Sequence, residues 1–161
     1  MEVRLARSGD AEAIRLIYNR EVTGSTATFD MVERSSAEQV EWLERHAGAH
    51  PAVVATEGGV VCGFGSLSPY RDRAAYSTSV EDSVYVENSW RGRGVGALIL
   101  EELVALATRH GFHTVIGRIA GGNEISIALH RSCGFEVIGV EREVGRKFGR
   151  WLDVTLVQKL L

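Results

Sequence analysis

The chain has 161 residues, a length that suits one domain with a buried core. Its formal net charge of −3 gives no reason to expect a general affinity for nucleic acid. No apolar run approaches the roughly 18 residues of a membrane span, and Glu2, Arg4 and Arg7 interrupt any leader-like stretch at the N-terminus. We therefore expect a single domain over residues 1–161 that works in the cytoplasm without nucleic acid or membrane.

The first half of the chain predicts one strand, two helices and then a run of strands. Val3–Ala6 has strand character, and Asp10 fits the N-cap of a helix with one apolar face. Ser35 and Glu38 have the spacing of a capping box that opens a second helix. The chain then becomes β-rich, with a predicted hairpin made of PAVVATE, the turn Gly58-Gly59 and VVCGFGSLSPY.

The second half continues with a strand over Thr78–Glu87 that leads into the turn RGRGVG. Apolar residues at helical spacing after the turn predict a long helix that ends at Gly111. The remaining predicted elements are a strand His113–Ile119, a helix Asn123–Ser132, and strands Phe135–Val140 and Leu152–Leu156. Because helices and strands do not alternate strictly, this order predicts a mixed sheet flanked by helices rather than a Rossmann repeat.

The turn RGRGVG stands where a strand meets a helix, an arrangement that often binds phosphate. A P-loop needs a lysine and a hydroxyl after its last glycine, but Gly96 is followed by Ala97 and Leu98. The spacing also misses the GxGxxG of a dinucleotide site. The pattern Arg91-x-x-Gly94-x-Gly96 favours a pyrophosphate held by backbone N–H groups without metal. The alternative is an ordinary helix N-terminus with solvated arginines.

These features together resemble the GNAT N-acetyltransferase superfamily. The strand VYV, the turn RGRGVG and the long helix are similar to that family's acetyl-CoA pyrophosphate motif. Asn123, Ser126, His130 and Gly134-Phe135 are similar to its second signature, with histidine where many members have tyrosine. The resemblance covers essentially the whole chain. It implies an α/β fold with a central mixed, mostly antiparallel sheet of about six to seven strands flanked by about four helices.

A narrower similarity is to the phosphinothricin acetyltransferase branch and its methionine sulfone and methionine sulfoximine acetyltransferases. It is carried by PYRDRAAY, VEDSVYV and the closing GRKFGRWLDVTLVQ. The branch implies an amino-acid-like substrate, acetyl-CoA as the donor and usually a homodimer. We therefore expect acetyl transfer to the α-amine of a small amino acid, with resistance as a consequence. Because the sequence offers no well-supported cysteine nucleophile, we expect direct attack in a ternary complex. Two alternatives remain: another acceptor, such as a protein N-terminus, polyamine or aminoglycoside, and a non-catalytic acetyl-CoA-binding module.

The resemblance assigns acetyl-CoA to the strand before the turn and to the turn itself. Asn123 would bond the pantetheine arm as well as cap its helix, and Ser132 would touch a distal part of the cofactor. The complete set of implied cofactor-binding residues is Val84, Tyr85, Val86, Arg91, Gly92, Arg93, Gly94, Val95, Gly96, Ala97, Asn123 and Ser132.

Acetyl transfer to an amine needs a base, because an alkylammonium is protonated at pH 7. Glu81, three residues before VYV, is the predicted base. An alternating strand puts Glu81 on one face and Asp82 on the other. His130 is the second predicted catalytic residue, either as general acid to the leaving thiolate or as a group that orients substrate.

Substrate specificity is predicted to come from the loop arginines, since guanidinium groups suit carboxylate, phosphinate or sulfone oxygens. Loop arginines in solvent are the alternative. The implied substrate-binding residues are Arg71, Asp72, Arg73, Tyr76, Glu81, Asp82 and Ser83.

No metal is predicted. Cys62 and Cys133 are far apart and show no metal-ligand spacing, so we expect two reduced thiols. The histidines outside the signature also lack ligand spacing; they are His46, His50, His110 and His113.

Overall fold

Seven strands form one sheet in the computed structural model, which describes all residues 1–161. In chain order the strands are β1 Glu2–Leu5, β2 Ala52–Glu57, β3 Val60–Pro69, β4 Ser79–Val86, β5 Thr114–Ala120, β6 Glu136–Lys147 and β7 Arg150–Leu160. Their order across the sheet is β1-β2-β3-β4-β5-β7-β6. Every neighbouring pair is antiparallel except β4 and β5. The predicted mixed, mostly antiparallel sheet is therefore confirmed.

Four α-helices accompany the sheet, as the sequence predicts. They are α1 Ala11–Gly24, α2 Ser36–Arg45, α3 Val95–Arg109 and α4 Glu124–Ser132. The capping box of α2 is confirmed, since Ser35 Oγ accepts the Glu38 N–H at 3.1 Å and the Glu38 carboxylate accepts the Ser35 N–H at 2.7 Å. None of the four helices combines the length and the apolar character that crossing a membrane requires.

Helices cover both faces of the central strands, because adjacent residues of a strand point to opposite faces. On β2, Val53 belongs to the apolar cluster formed with α3, whereas Val54 belongs to a second cluster with Ile14 and Tyr18 of α1. Both valines are fully buried. This double cover fixes the positions of β4 and of the start of α3.

β4 and β5 separate halfway along their length. They pair from Ser79 opposite Thr114 to Asp82 opposite Gly117, and no pairing follows. Beyond that point β4 stays paired with β3 as far as Val86, and β5 stays paired with β7. The two strands therefore enclose a gap, and the backbone groups that point into it have no strand partner.

Asp10 is the N-cap residue of α1, as predicted, but it holds that position without capping the helix through its side chain. No side-chain hydrogen bond caps α1 there. The Asp10 carboxylate instead accepts the Arg7 backbone N–H at 2.7 Å and pairs with Arg4 at 2.8 Å. Asp10 closes the short 3-10 turn Ser8–Asp10 that precedes α1, so its side chain is used before the α-helix begins.

The last two strands are longer than predicted and form one long hairpin. β6 passes the predicted end at Val140, and β7 extends in both directions beyond Leu152–Leu156. Phe148 and Gly149, at φ 51° and 70°, make the two-residue turn between them, a geometry that usually selects Asn-Gly or Gly-Gly. Phenylalanine in the turn and the charged residues of 141–146 obscured the hairpin in the sequence.

The packing of α3 on the sheet can be tested at Gly65 of β3, where a Cβ would come within 2.6 Å of Ile99 and 2.9 Å of Leu103. We predict that Gly65→Ala lowers the free energy of unfolding by about 1–3 kcal/mol, because overpacking displaces neighbouring side chains. Urea denaturation measures the change. Gly24→Ala is the control, since nothing lies within 4 Å of a Cβ there. Equal losses in both variants would contradict the packing argument.

Candidate active site

A cavity of about 640 Å³ occupies the gap between β4 and β5. Its walls are the separated parts of these strands, residues 82–86 and 118–120, with the first turn of α3, the inner side of α4 and the loop after α1. Apolar walls with a few convergent polar groups are typical of small-molecule sites. The cavity is therefore the candidate active site.

The glycine-rich turn forms one end of the cavity. Gly92 and Gly94 have φ of 72° and 79°, left-handed values that glycine adopts without strain. α3 begins directly afterwards, with no side-chain cap and no acidic residue in its first turn. Gly96 lies against Leu129 of α4, where a Cβ would come within 3.0 Å of that side chain. The turn thus offers free backbone N–H groups and the positive end of a helix dipole to an anion.

The two arginines of the turn have different surroundings. Arg91 pairs with Glu21 of α1 at 2.5 Å and donates to the Val86 carbonyl oxygen at 3.2 Å. Arg93 lies over the ring of Trp90, 5.0 Å from its centroid. Arg91 is therefore held at the cavity wall, whereas Arg93 is outside it.

The free edge of β4 supplies backbone donors to the cavity. The Glu87 N–H donates to the Cys62 carbonyl oxygen of β3 at 2.9 Å. Successive N–H groups of a strand point to opposite sides, so those of Val84 and Val86 point toward the gap. An extended cofactor arm with amide groups fits such an edge.

Asn123 and Ser132 lie at opposite ends of α4. The predicted cap is confirmed, because the Asn123 side chain accepts the Ser126 N–H at 3.2 Å, and Asn123 also lines the cavity. The Ser132 hydroxyl is exposed and donates to the Leu129 carbonyl oxygen at 2.7 Å. Of the predicted cofactor residues, those at the cavity wall are Val84, Tyr85, Val86, Arg91, Gly92, Gly94, Val95, Gly96, Ala97 and Asn123, and those outside it are Arg93 and Ser132.

Asp82 and His130 form a buried pair in the cavity wall. His130 Nε2 lies 2.9 Å from Asp82 Oδ2, and the two side chains are 5% and 1% exposed. Burial alone would lower the pKa of His130, but the hydrogen bond and charge of Asp82 outweigh it, so the pKa is raised above 6.5. The sequence predicts that Asp82 binds substrate. That role stays a prediction; in the structure Asp82 lines the cavity and its side chain lies against His130, because strand alternation turns it toward α4.

Glu81 lies on the opposite face of β4 and is half-buried. Burial raises its pKa above the ordinary 4.5, against the lowering effect of the Arg118 and Arg71 charges. The nearby Asp82 raises it further. A carboxylate with a raised pKa is a stronger base, which suits the predicted role.

The predicted substrate loop between β3 and β4 is exposed to solvent. Arg71 lies over the rings of Tyr70 and Tyr76, 5.1 and 5.9 Å from their centroids. Its charge also acts on Glu81. Arg71 is therefore the residue of this loop whose charge acts on the predicted base. Asp72 and Arg73 are exposed to solvent. Ser83, on β4, lines the cavity.

Arg118 of β5 is a candidate that the sequence patterns did not reveal. It lines the cavity, and its Nη2 lies 2.8 Å from Glu141 Oε1 of β6, an ion contact without hydrogen-bond alignment. Among neighbouring charges it has the largest effect on Glu81. The sequence did show a charged residue inside the otherwise apolar strand TVIGRIA, which could have marked Arg118 as functional. Its closeness to Glu81, however, depends on the pairing of β4 with β5, which the sequence does not show.

The two cysteines are free thiols, Cys62 buried and Cys133 partly buried. No group of three or more His, Cys, Asp or Glu side chains is placed to hold a metal ion.

A central parallel pair that separates beside a glycine-rich helix start defines an acyltransferase of the acetyl-CoA-binding class. The model of the Acetyltransferase (GNAT) family matches residues 12–135, and the chain belongs to this family. Its activity is acetyl-CoA-dependent N-acetyl transfer, as the sequence predicts.

Relatives and solved structures agree with this assignment over nearly full length. The L-methionine sulfoximine/L-methionine sulfone acetyltransferase of Pseudomonas aeruginosa is 37% identical over 97% of this chain and 92% of its own. The phosphinothricin acetyltransferase of Sinorhizobium meliloti in complex with AcCoA has a TM-score of 0.96 and 39% identity, covering 99% and 88%. The ribosomal-protein-alanine N-acetyltransferase of Brucella melitensis has a TM-score of 0.97 and 40% identity, covering 100% of both chains.

The turn can be tested with two glycines of similar strain. Gly94 has a left-handed φ of 79°, so Gly94→Ala strains the backbone of the turn at the end of the cavity. We predict that the Kd for acetyl-CoA rises at least about tenfold, a loss of about 1.4 kcal/mol of binding free energy. Gly111→Ala is the control, because it imposes the same strain, at φ 80°, beyond the far end of α3. Calorimetric titration measures both affinities. Equal weakening in the two variants would mean that the loss is general destabilisation.

Proposed function

We propose that the protein acetylates the α-amine of a small amino acid or analogue, with phosphinothricin, methionine sulfone and methionine sulfoximine as the first acceptors to test. The observation that carries this proposal is the charge arrangement around Glu81. A half-buried carboxylate suited to an ammonium group is acted on by two guanidinium groups, those of Arg71 and Arg118. An amino acid has the complementary pair of charges on neighbouring atoms, and the names of the relatives support the same acceptor class.

In this proposal Glu81 acts as the base. It takes one proton from the acceptor ammonium, which frees the nitrogen lone pair for direct attack on the acetyl carbon. Arg118 and Arg71 bind the carboxylate, phosphinate or sulfone oxygens. The N–H groups of Val84 and Val86 serve the pantetheine arm and the thioester carbonyl, while the turn from Arg91 holds the pyrophosphate.

His130 acts at the other side of the reaction as the acid. Its raised pKa favours the protonated ring, and a protonated ring has a proton to give to the departing thiolate. Base and acid lie on opposite faces of β4, which keeps the two proton transfers apart. Acetylation removes the positive charge of the amine, and we propose resistance to such inhibitors as a consequence.

A protein N-terminus is the second candidate acceptor, favoured by the likeness to the Brucella melitensis enzyme. A free α-amine is common to both acceptors, but a peptide lacks the adjacent carboxylate. An assay of free CoA release decides between the two acceptor classes. The acceptors to compare are amino acids, the three analogues, a peptide that begins with alanine, and polyamines. Turnover on the peptide or polyamines alone would overturn the amino-acid assignment, and binding of acetyl-CoA without any turnover would leave a non-catalytic module.

We also propose a cytoplasmic homodimer. Free thiols suit a reducing compartment. The hairpin of β6 and β7 exposes apolar side chains that a second copy would cover, namely Ile138, Val140, Val144, Phe148 and Trp151. Light scattering should give twice the chain mass of 17.6 kDa; a mass of one chain would contradict the dimer.

The role of Glu81 is tested by Glu81→Gln. Because the pKa of Glu81 is raised above 4.5, wild-type kcat/KM should fall as pH decreases through that raised value. Removing the base should lower kcat/KM about 10²- to 10⁴-fold near neutral pH, with partial recovery at high pH, where more acceptor is already deprotonated. Arg142→Gln is the control, because this exposed arginine lies outside the cavity and the predicted substrate loop, and the kcat/KM of this variant should stay at the wild-type value. Wild-type rates across the pH range in Glu81→Gln would remove Glu81 from this role.

A further inference from the structure

The atoms of the Asp82–His130 pair have few possible proton arrangements. His130 Nδ1 lies 2.7 Å from the Ser126 carbonyl oxygen, which only accepts hydrogen bonds, so Nδ1 carries a proton. Nε2 lies 2.9 Å from Asp82 Oδ2. This contact also needs a proton, either on the nitrogen toward a carboxylate or on a protonated Asp82. The pair therefore holds two protons: one is on Nδ1, and the other is on either Nε2 or Asp82 Oδ2.

The surroundings keep the pair together. The Phe135 ring meets the imidazole edge-on, with centroids 5.1 Å apart. Opposite the pair lies Gly117 of β5, where a Cβ would come within 3.0 Å of Asp82 Oδ1 and 3.1 Å of His130 Nε2. A larger residue at 117 would push the two side chains apart, so the strand leaves room for the pair at the point where β4 and β5 separate.

One oxygen of the pair has no partner inside the protein. Asp82 Oδ1 is buried and accepts no hydrogen bond, which is costly for a carboxylate unless a nearby positive charge compensates it. The imidazolium form of His130 supplies that charge. The neutral form would leave the buried carboxylate with less support, so burial of Asp82 and protonation of His130 favour each other.

We propose that Asp82 is a positioning residue that keeps His130 protonated, so that the pair stores the proton for the leaving thiolate. This inference rests on the proposed function for the thiolate step, but the state of the pair exists without any ligand. In the step itself the Nε2–H bond of His130 breaks and one S–H bond forms. His130 becomes neutral with its remaining proton on Nδ1, so its hydrogen bond to Asp82 is broken during the step. Asp82 keeps its charge, and solvent returns the proton to Nε2 after product release, which restores the pair.

The other charged groups around α4 make no contact with the imidazole. Lys159 Nζ donates to the Cys133 carbonyl oxygen at 2.7 Å, and the charges of Lys159 and Asp82 both act on the pKa of the Cys133 thiol. Of all of them, only Asp82 shifts the pKa of His130. Other titratable groups on these elements include Glu81 of β4, Glu101 of α3, Arg118 of β5, Arg131 of α4 and Glu136 of β6.

Asp82 also connects the two sides of the reaction. Its charge raises the pKa of Glu81 across β4 as well as that of His130. The base requires a deprotonated Glu81, and the acid requires a protonated His130, so activity is expected between the two values. Asp82→Asn lowers both pKa values, and the entire pH profile should move toward acid.

Histidine-selective NMR titration of the ligand-free protein tests the pair directly, with the His130 signal assigned from its absence in His130→Asn. We expect a wild-type pKa above 6.5. In Asp82→Asn burial is no longer opposed by a charge, so the value should drop below 6.5, a shift of roughly one pH unit or more. Glu141→Gln is the control, because it removes a carboxylate on the other side of β5 and should leave the His130 titration in place. A wild-type value at or below 6.5 overturns the proposal without any variant, as does an unchanged value in Asp82→Asn.

The pH dependence of kcat/KM separates this claim from the proposed function. A displacement of both limbs toward acid in Asp82→Asn supports the positioning role, whereas a lower maximum with both limbs in place shows a merely structural role and overturns it. Glu81→Gln should lose the acid limb that Glu81 sets, because that limb reports the protonation of the base. If Glu81→Gln keeps full activity, the proposed base fails, while the NMR result still decides the role of Asp82.

Discussion

The separation of β4 and β5 after the Asp82–Gly117 pair is the constraint on which the site depends. Strands in a sheet normally satisfy their backbone groups with each other. Here two parallel neighbours stop pairing, while each remains bonded to its other neighbour. The gap persists because β3 and β7 hold the two strands from outside, and because α3 and α4 pack over the same place. The site is thus a property of the sheet and not of a mobile loop.

The strand β4 divides the chemistry between its two faces. Glu81 belongs to the face that Arg118 and Arg71 influence, whereas Asp82 belongs to the face that α4 covers. Adjacent residues of a strand point to opposite faces of the sheet. The neighbouring carboxylates of Glu81 and Asp82 therefore act on different partners. The pKa values of Glu81 and His130 are raised for different reasons, burial for the first and a charged partner for the second.

The sequence predicted those parts of the site that are local in the chain. The turn RGRGVG, the absence of an acid in the first turn of α3, and the cap at Asn123 each depend on residues a few positions apart. Arg118 and the Asp82–His130 pair depend on contacts between residues far apart in the chain, so no spacing rule could reveal them. The N-cap position of Asp10 was predictable, but the use of its side chain in the preceding 3-10 turn Ser8–Asp10 was not, because that turn has no clear pattern in the sequence. The long hairpin was underestimated because its turn contains phenylalanine at a positive φ.

We propose that the free edge of β4 binds the cofactor arm through its backbone. Amide hydrogen exchange with and without acetyl-CoA tests it at single residues. The N–H groups of Val84 and Val86, which face the gap, should exchange more slowly when acetyl-CoA is bound. That of Tyr85, which faces β3, should change much less and serves as the internal reference. Equal slowing of all three, or protection confined to other parts of the chain, would contradict the account.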